Sequence, residues 1–177
     1  MTKVEKAQSF ISKYHAGQKR KFSGIDYTLH LQETAGLLLA MLDDKASEEE
    51  QAAALLHDIL EDTILTPEEL ERHFGSDIKG LVEELTNDEE QKKVMGKKAY
   101  LAEKLNQMSE KAFNIKLCDR MSNVMSLADT RTPKKFIKWY VKETEYIIEH
   151  LDRDLTLTQK DMIVQMVAFI ILLREAR

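Results

Sequence analysis

The sequence predicts an all-α fold from three observations. The chain of 177 residues contains only six Gly and two Pro, fewer turn-forming residues than an all-β sandwich or barrel needs. Apolar residues recur at helical spacing, and no alternating run competes convincingly as a strand. Caps divide this pattern into about eight or nine helical segments. We therefore expect one domain over residues 1–177, with its motifs at about 5–150 and a C-terminal packing helix at about 156–175.

The composition excludes several classes of protein. With 43% hydrophobic and 32% charged residues, the chain is unlike a disordered segment. Its net charge of −5 gives no basic surface for a nucleic-acid backbone, so no nucleic-acid partner is expected. The apolar stretch 162–173 contains Gln165 and is shorter than the roughly 20 residues of a membrane span. We expect it to pack on the core or on a second copy of the chain, as a homo-oligomer, and not in a membrane.

The cysteine content and the N-terminus indicate the compartment. Cys118 is the only cysteine, so the chain cannot form an intrachain disulfide. The first residues lack the apolar core of a signal peptide. Both observations predict a cytoplasmic protein.

A short basic connection separates the first two helices. The first helix is expected to end near His15, and the second to run from about Asp26 to Leu42. Gly17 and Gly24 bracket the segment between them, which includes Gln-Lys-Arg-Lys at 18–21. A positive loop of this kind can bind a small phosphate-bearing ligand.

The later helices are marked by their N-caps. Ser47 and Thr66 each precede a Glu at N3, which is the capping-box pattern, and Pro67 occupies N1 of the second of these helices. Two further starts are expected at Thr132, which precedes a proline, and at Thr158.

The segment 52–62 places four ionisable side chains at the end of an apolar helix. They are His57, Asp58, Glu61 and Asp62. At about 100° per residue, they fall within an arc of about 140°, so all four can face one cavity. Three acids and a histidine repel one another unless a cation is present, and this mixture of ligands suits Mn, Fe or Zn. The alternative is a solvated helix end, which the preceding Ala-Ala-Ala-Leu-Leu run disfavours because it is typical of a core helix.

The segment 114–126 predicts a helix with a core stripe and a polar side. The stripe consists of Leu117, Met121, Val124 and Ala128. The other side carries Asp119, Asn123 and Ser126. A polar side opposite a core stripe is found on any surface helix, so this segment becomes a candidate site only in combination with the first one.

The remaining histidines divide into two groups. His73 and His150 have the surroundings of ordinary surface residues. His30 follows Tyr27 on the second helix, where periodicity alone leaves open whether it binds a metal or packs in the core.

Taken together, His30, the His57-Asp58 pair and the distant Asp119 resemble the signature of the HD-domain metal-dependent phosphohydrolases, an all-helical superfamily. Within it, the segments LLHDILEDT at 55–63 and IKLCDRMSN at 115–123 are similar to the hydrolase domain of the RelA/SpoT homologues. The similarity extends to QKRK at 18–21 and GIDYTLH at 24–30. The HD pair alone is a weak motif, whereas this combination is specific.

The resemblance covers about 5–150 and implies a stand-alone small alarmone hydrolase. Such enzymes remove the 3′-pyrophosphate of guanosine tetra- and pentaphosphate, typically with Mn²⁺. It further implies that one Mn²⁺ ion is held by His30, His57, Asp58 and Asp119. Glu61 and Asp62 match the acidic pair that positions and deprotonates the attacking water.

Five further residues match positions that contact or shape a nucleotide site, so a small-molecule nucleotide is the expected partner. Arg20 and Lys21 match the basic pair beside the guanine and the phosphates. Tyr27, Asn123 and Ser126 match nucleotide-contacting or site-shaping positions. The alternative for Tyr27 is an aromatic residue that packs between helices.

The sequence departs from the family pattern at four places. Leu31 replaces the usual Pro after the ligand His, and Met121-Ser122 replaces a common Leu-His. Met125 stands where an Arg is frequent, and Glu89 where a Lys is often found. These changes mainly affect substrate contacts, because the metal-binding and water-activating positions are all filled.

Two other functions compete with alarmone hydrolysis. The departures at Glu89 and Met125 leave open a phosphohydrolase for another nucleotide, such as the 2′-phosphate of NADPH or a deoxynucleotide. A non-catalytic nucleotide-binding sensor is disfavoured, because such a chain would more often have lost a metal ligand or an acid.

Overall fold

The computed structural model describes residues 1–175, and within this range the chain folds into eleven helices with no named strand. The prediction of an all-α fold is confirmed. The helices are α1 (Lys3–Tyr14), α2 (Tyr27–Met41), α3 (Glu48–Leu56), α4 (Ile59–Asp62), α5 (Pro67–Phe74), α6 (Ser76–Leu85), α7 (Glu89–Met95), α8 (Lys97–Gln107), α9 (Glu110–Ser126), α10 (Lys134–Glu149) and α11 (Leu157–Glu175).

The expected number of eight or nine helices is too low because short breaks divide helical runs. Gly75 and Gly96, with φ of 84° and 80°, separate α5 from α6 and α7 from α8. Such backbone is strained for residues with a Cβ, so glycine ends the helix there. A third break, at His57-Asp58, separates α3 from α4.

The predicted helix ends are confirmed near the basic connection, where α1 ends with His15 as its C-cap and α2 begins after Asp26. The capping boxes at Ser47 and Thr66 are also present. Two predicted N-caps are wrong, and both lie in the C-terminal half of the chain.

The first wrong cap is Thr158, because Thr156 caps α11. The Gln159 amide donates to Thr156 Oγ1 at 3.2 Å, and the Thr156 amide donates to Gln159 Oε1 at 3.0 Å. This reciprocal pair is a capping box with Gln at N3, and it places Thr158 inside the helix. The second wrong cap is Thr132. The N-cap of α10 is Pro133, whose carbonyl accepts a hydrogen bond from the amide of Phe136 at 2.9 Å.

Helix α9 packs against α2, α3, α6 and α11 and therefore lies at the centre of the fold. Leu117, Met121 and Val124 of the predicted stripe are buried, whereas Ala128 is exposed because the helix ends before it. The site residues on α9 thus lie next to α2 and to the break between α3 and α4.

Helix α11 packs on α9, and one of its sides is buried, at Met162, Met166, Ile170 and Leu173. The sequence left open whether this helix packs on the core or on a second copy, and one side of it packs on the core. No helix in the described range is both long and apolar enough to cross a membrane.

Candidate metal centre and adjoining cleft

The break between α3 and α4 places two candidate ligands side by side. His57 is fully buried and ends α3, and Asp58 leaves the helical conformation with φ −104° and ψ 2°. As a result, His57 Nε2 lies 3.1 Å from Asp58 Oδ2. The segment is therefore not the uninterrupted helix on which the expected common arc of four side chains depended.

Two imidazole nitrogens and two carboxylate oxygens meet at this point. His30 Nε2 lies 3.2 Å from Asp119 Oδ1 and 3.8 Å from Asp58 Oδ2. His57 Nε2 lies 3.6 Å from the same oxygen of Asp119. The donor atoms of His30, His57 and Asp119 all lie within 4.8 Å of one another. The structure thus brings together all four residues that the family resemblance nominates as metal ligands.

The two imidazole rings are held by their other nitrogen. His57 Nδ1 donates to the carbonyl of Ala54 at 2.8 Å. The Ser122 hydroxyl donates to Glu33, so it accepts from His30 Nδ1, 2.8 Å away. Both Nε2 atoms therefore face the centre, and His57 Nε2 is a buried atom without a hydrogen-bond partner in the described chain. A buried unpaired nitrogen is costly, and a metal ion would satisfy it.

The two carboxylates are held as firmly as the rings. The Tyr27 hydroxyl donates to Asp58 Oδ2 at 2.5 Å. Asn123 Nδ2 donates to Asp119 Oδ1 at 2.6 Å, and Lys116 Nζ lies 2.8 Å from Asp119 Oδ2. Burial opposes ionisation of Asp119, but Lys116 and the histidines hold its pKa well below the usual range.

The electrostatics of the cluster favour a cation at its centre. Burial by itself lowers the pKa of His57, but Asp58 and Asp119 outweigh burial and raise this pKa to about 10. The pKa of Asp58 is lowered despite burial, chiefly by His57. Two anionic oxygens facing two imidazole nitrogens form a ligand set typical of Mn, Fe or Zn.

The acidic pair that follows the cluster is divided between two surroundings. Glu61 Oε1 accepts the Asn87 amide at 2.7 Å, and Glu61 Oε2 lies 3.3 Å from Asn87 Nδ2. Burial raises the pKa of Asp62, and the charges of Asp58 and Glu61 raise it further. The expectation that all four ionisable side chains face one cavity is therefore wrong for Glu61, whose carboxylate is bound to the connection between α6 and α7.

A cleft of about 170 Å³ adjoins the cluster. The structure places all five predicted substrate contacts in its lining: Arg20, Lys21, Tyr27, Asn123 and Ser126. The Arg20 guanidinium donates to Asn123 Oδ1 at 3.0 Å, which links the cleft to Asp119. Lys21 Nζ lies 5.4 Å from the centre of the Phe136 ring, at the exposed edge. The Ser126 hydroxyl donates to the Asn123 carbonyl at 2.7 Å, inside its own helix.

A second cleft, of about 410 Å³, lies on the other side of Arg20. Its lining includes Met125 and the carboxylate of Glu33, which lies 3.5 Å from the Arg20 guanidinium. Here a methionine stands at the position where an arginine is frequent in the family.

Three residues around the site are absent from the sequence prediction. Glu33 is one helical turn after His30, and Lys116 is one turn before Asp119, so helical spacing could have indicated both. His15 was assigned only a helix end, but it is 1% exposed, and its Nε2 has no partner in the described part of the chain. Spacing gave no signal for His15. His73 and His150 are exposed, as expected.

Comparison with known proteins adds an independent line of support. A model of the HD domain family matches residues 7–153. A guanosine-3′,5′-bis(diphosphate) 3′-pyrophosphohydrolase of Xenopus tropicalis is 42% identical over 91 residues, which are 51% of this chain and 50% of the relative. A GTP pyrophosphokinase rsh of Brucella ovis is 37% identical over 138 residues, which are 75% of this chain and 18% of that protein.

One solved structure covers nearly all of both chains. It is described as a metazoan orthologue of SpoT that hydrolyses ppGpp. It is 25% identical, covers 95% of each chain and superimposes with a TM-score of 0.75. By contrast, the chain spans half or less of the two curated relatives.

Proposed function

Because this chain belongs to the HD domain family, we propose that it acts as a single metal-dependent hydrolase domain on guanosine tetra- or pentaphosphate, removing the 3′-pyrophosphate. The names of the Xenopus relative and of the structural neighbour support this substrate. The observation in this chain that carries the proposal is the four-ligand cluster joined to a basic cleft. Arg20, Asn123 and Asp119 form the connection through consecutive hydrogen bonds.

The cluster fits one divalent ion, for which we propose Mn²⁺. His30, His57, Asp58 and Asp119 would hold it, and the unpartnered Nε2 of His57 supports this fit. When bound, such an ion lowers the pKa of a coordinated water and withdraws charge from a phosphoryl oxygen. The mixed nitrogen and oxygen ligands suit Mn²⁺ better than Mg²⁺, which prefers oxygen alone.

Asp62 is the side chain best suited to accept a proton from the attacking water. It is near Asp58, and its raised pKa makes it a better base than an ordinary aspartate. In the reaction, the water oxygen bonds to the phosphorus that carries the 3′ oxygen, and the bond between that phosphorus and the 3′ oxygen breaks. The proton taken by Asp62 is returned to the 3′ oxygen, so guanosine tetraphosphate gives GDP and pyrophosphate.

The other residues of the site bind and orient. Arg20 and Lys21 supply positive charge beside the cluster, where substrate phosphates would enter. Glu61 holds Asn87 and so fixes the adjacent connection. Tyr27 positions Asp58 through its hydroxyl, which favours a supporting role over direct nucleotide contact.

The test is product analysis with guanosine tetraphosphate and added Mn²⁺, together with metal analysis of the purified chain. GDP and pyrophosphate are the expected products. Asp62→Asn should retain the metal and lose turnover by roughly 100-fold or more, as expected for removal of a general base. Asp152→Asn, an exposed acid, is the matched control and should behave as the unaltered chain. Bound metal without either product would contradict the proposed substrate.

The second cleft favours one alternative substrate class. Met125, in place of the arginine that is frequent in the family, makes this region less positive than the family pattern, which suits a nucleotide with fewer phosphates. The same assay with NADPH and deoxynucleotides separates the two proposals, because release of phosphate from these compounds, without turnover of guanosine tetraphosphate, would favour the alternative. A small nucleotide substrate also accords with the proposed cytoplasmic location.

A further inference from the structure

The outer side of α11 carries an apolar stripe. Leu157, Val164, Val167, Ile171 and Leu172 are 80%, 65%, 37%, 48% and 61% exposed. With Ala168, the last four follow the i, i+3, i+4, i+7, i+8 spacing of one helix face. At 100° per residue this face lies opposite the buried one, and it spans roughly 140°. A helix that is apolar on both sides normally packs on both.

We propose that this stripe is a symmetric interface with a second copy of the chain, with the two α11 helices antiparallel. Charge complementarity identifies the occupant. The stripe ends in Lys160 and Asp161 on one side and in Arg174 and Glu175 on the other. A two-fold axis between positions 167 and 168 places Lys160 opposite Glu175 of the partner subunit. It also places Asp161 opposite Arg174 of the partner subunit.

The same axis matches the apolar residues. Val164 faces Ile171 of the partner subunit, and Val167 faces Ala168 of the partner subunit, so apolar side chains meet along the seam. A parallel arrangement would instead bring Lys160 of the two copies together and place like charges at both ends. Since one patch then serves both copies, the assembly closes as a dimer.

Other occupants fit this face less well. Two cations and two anions flank the stripe, and a membrane-binding helix would instead present an excess of Lys and Arg. Arg174 also bonds Glu145 of α10 at 2.8 Å, which holds its guanidinium at the edge of the stripe. The interface would brace α9, because Gln159 of α11 bonds Glu110 and Asn114 at 2.6 and 2.8 Å.

Sedimentation velocity tests the interface without reference to catalysis. At protein concentrations of about 1 to 100 µM, we expect a mass twice the 20.5 kDa of one chain. Ile171→Asp should weaken the dimer by roughly 100-fold or more, because each dimer then buries two charges in place of two apolar side chains. The side chain is half-exposed in the monomer, so the variant should fold, and its far-UV circular dichroism spectrum should match that of the unaltered chain.

The matched control is Val94→Asp, which changes an apolar residue of α7 that is 87% exposed. This variant should stay dimeric. A monomeric mass for the unaltered chain throughout the range, or an unchanged dimer in Ile171→Asp, would overturn the proposal. Binding of the monomer to phosphatidylcholine vesicles would assign the stripe to a lipid surface instead.

Charge reversal tests the register. Lys160→Glu should weaken the dimer by roughly tenfold, since it places two acids together at both ends of the seam. Adding Glu175→Lys should restore the original dissociation constant. If the double variant does not recover the original dissociation constant, the antiparallel register is excluded.

Discussion

The metal centre and the cleft share α9 but differ in how their side chains are held. In the centre, each ligand is buried or nearly so and bonded to a second group, as His30 is to Ser122 and Asp119 is to Lys116. In the cleft, Lys21 lies exposed over two rings, and Arg20 divides its contacts between Asn123 and Glu33. The side chains of the centre are therefore fixed by burial and bonding, whereas the cleft presents an exposed cation, Lys21.

The departures from the family pattern are also distributed differently between the centre and the clefts. All departures from the family pattern except Leu31 and Ser122 avoid the centre, and Ser122 still serves it, by holding His30. Met125 lines the second cleft, and we propose that the change of charge there affects which nucleotide fits.

The largest expected effect is that of Asp119→Asn. Asp119 lies next to both imidazoles and Lys116, so its loss removes a ligand charge and leaves a buried ammonium without its anion. Mn²⁺ affinity, measured by calorimetry, should fall by more than roughly 100-fold. The free energy of unfolding should fall by about 3 kcal/mol. The exposed Asp77→Asn is the control, and equal Mn²⁺ affinity in both variants would contradict a preorganised centre.

Ser122→Ala sharpens the comparison, because it changes the centre without changing a ligand. The substitution leaves Nδ1 of His30 without its acceptor and disconnects Glu33 from the ring. Mn²⁺ affinity should fall by roughly 10- to 100-fold while the fold is retained. Ser12→Ala provides the control, since the Ser12 hydroxyl donates to a carbonyl within α1 at 2.8 Å. Unchanged Mn²⁺ affinity would show that the ring needs no such support.

Arg20→Ala should affect substrate binding and not metal binding, which would assign Arg20 to the cleft. Arg20 contacts Asn123 and Glu33 and is not bonded to either carboxylate ligand. The KM for guanosine tetraphosphate should rise by roughly tenfold, as for loss of a charge-assisted contact, while Mn²⁺ affinity changes little. Lys21→Ala should have a smaller effect on KM, because that side chain is exposed. If Arg20→Ala abolished metal binding instead, the two regions would be one unit.

Much of the centre was predictable because its ligands lie in short motifs. The family resemblance nominated His30, His57, Asp58 and Asp119 as ligands, and the structure brings these four residues together. The different surroundings of Glu61 and Asp62 were not predictable. They depend on the break in the helix at Asp58 and on the position of Asn87, which lies 26 residues after Glu61 in the sequence. The Glu33–Ser122 contact joins helices 89 residues apart in sequence, and helical periodicity carries no information on such pairs.

The helix boundaries were likewise predictable only where a local sequence pattern sets them. Helices with strong caps, such as α3 and α5, were located correctly, because a capping box is a local signal. Thr156 was missed because its partner at N3 is a glutamine, whose role is secured by Glu110 and Asn114 on another helix. Tertiary contacts thus decided between two candidate threonine caps, Thr156 and Thr158, that lie two residues apart.

The smallest expected effect concerns Lys104. This lysine is half-buried, and unlike Lys116 it forms no ion pair with a carboxylate among the described residues. Burial and, secondly, the charge of Lys116 lower the pKa of Lys104 to about 8. In the unfolded chain the pKa returns to 10.5, so between pH 8 and 10.5 the unfolded state binds more protons than the folded state. The stability contribution of Lys104 therefore rises with pH across this window, and below it stays constant and unfavourable.

Lys104→Met removes this titration at similar side-chain volume. Relative to the variant, the unaltered chain should gain about 1 kcal/mol of unfolding free energy between pH 8 and 10.5, a value reduced for partial solvent exposure. Denaturant unfolding at several pH values measures the difference. Exposed Lys111→Met serves as control and should track the unaltered chain. A flat difference for Lys104→Met would mean that its contacts with Thr86 and Tyr100 keep the ammonium charged, and that a lysine at this site needs no carboxylate partner as Lys116 does.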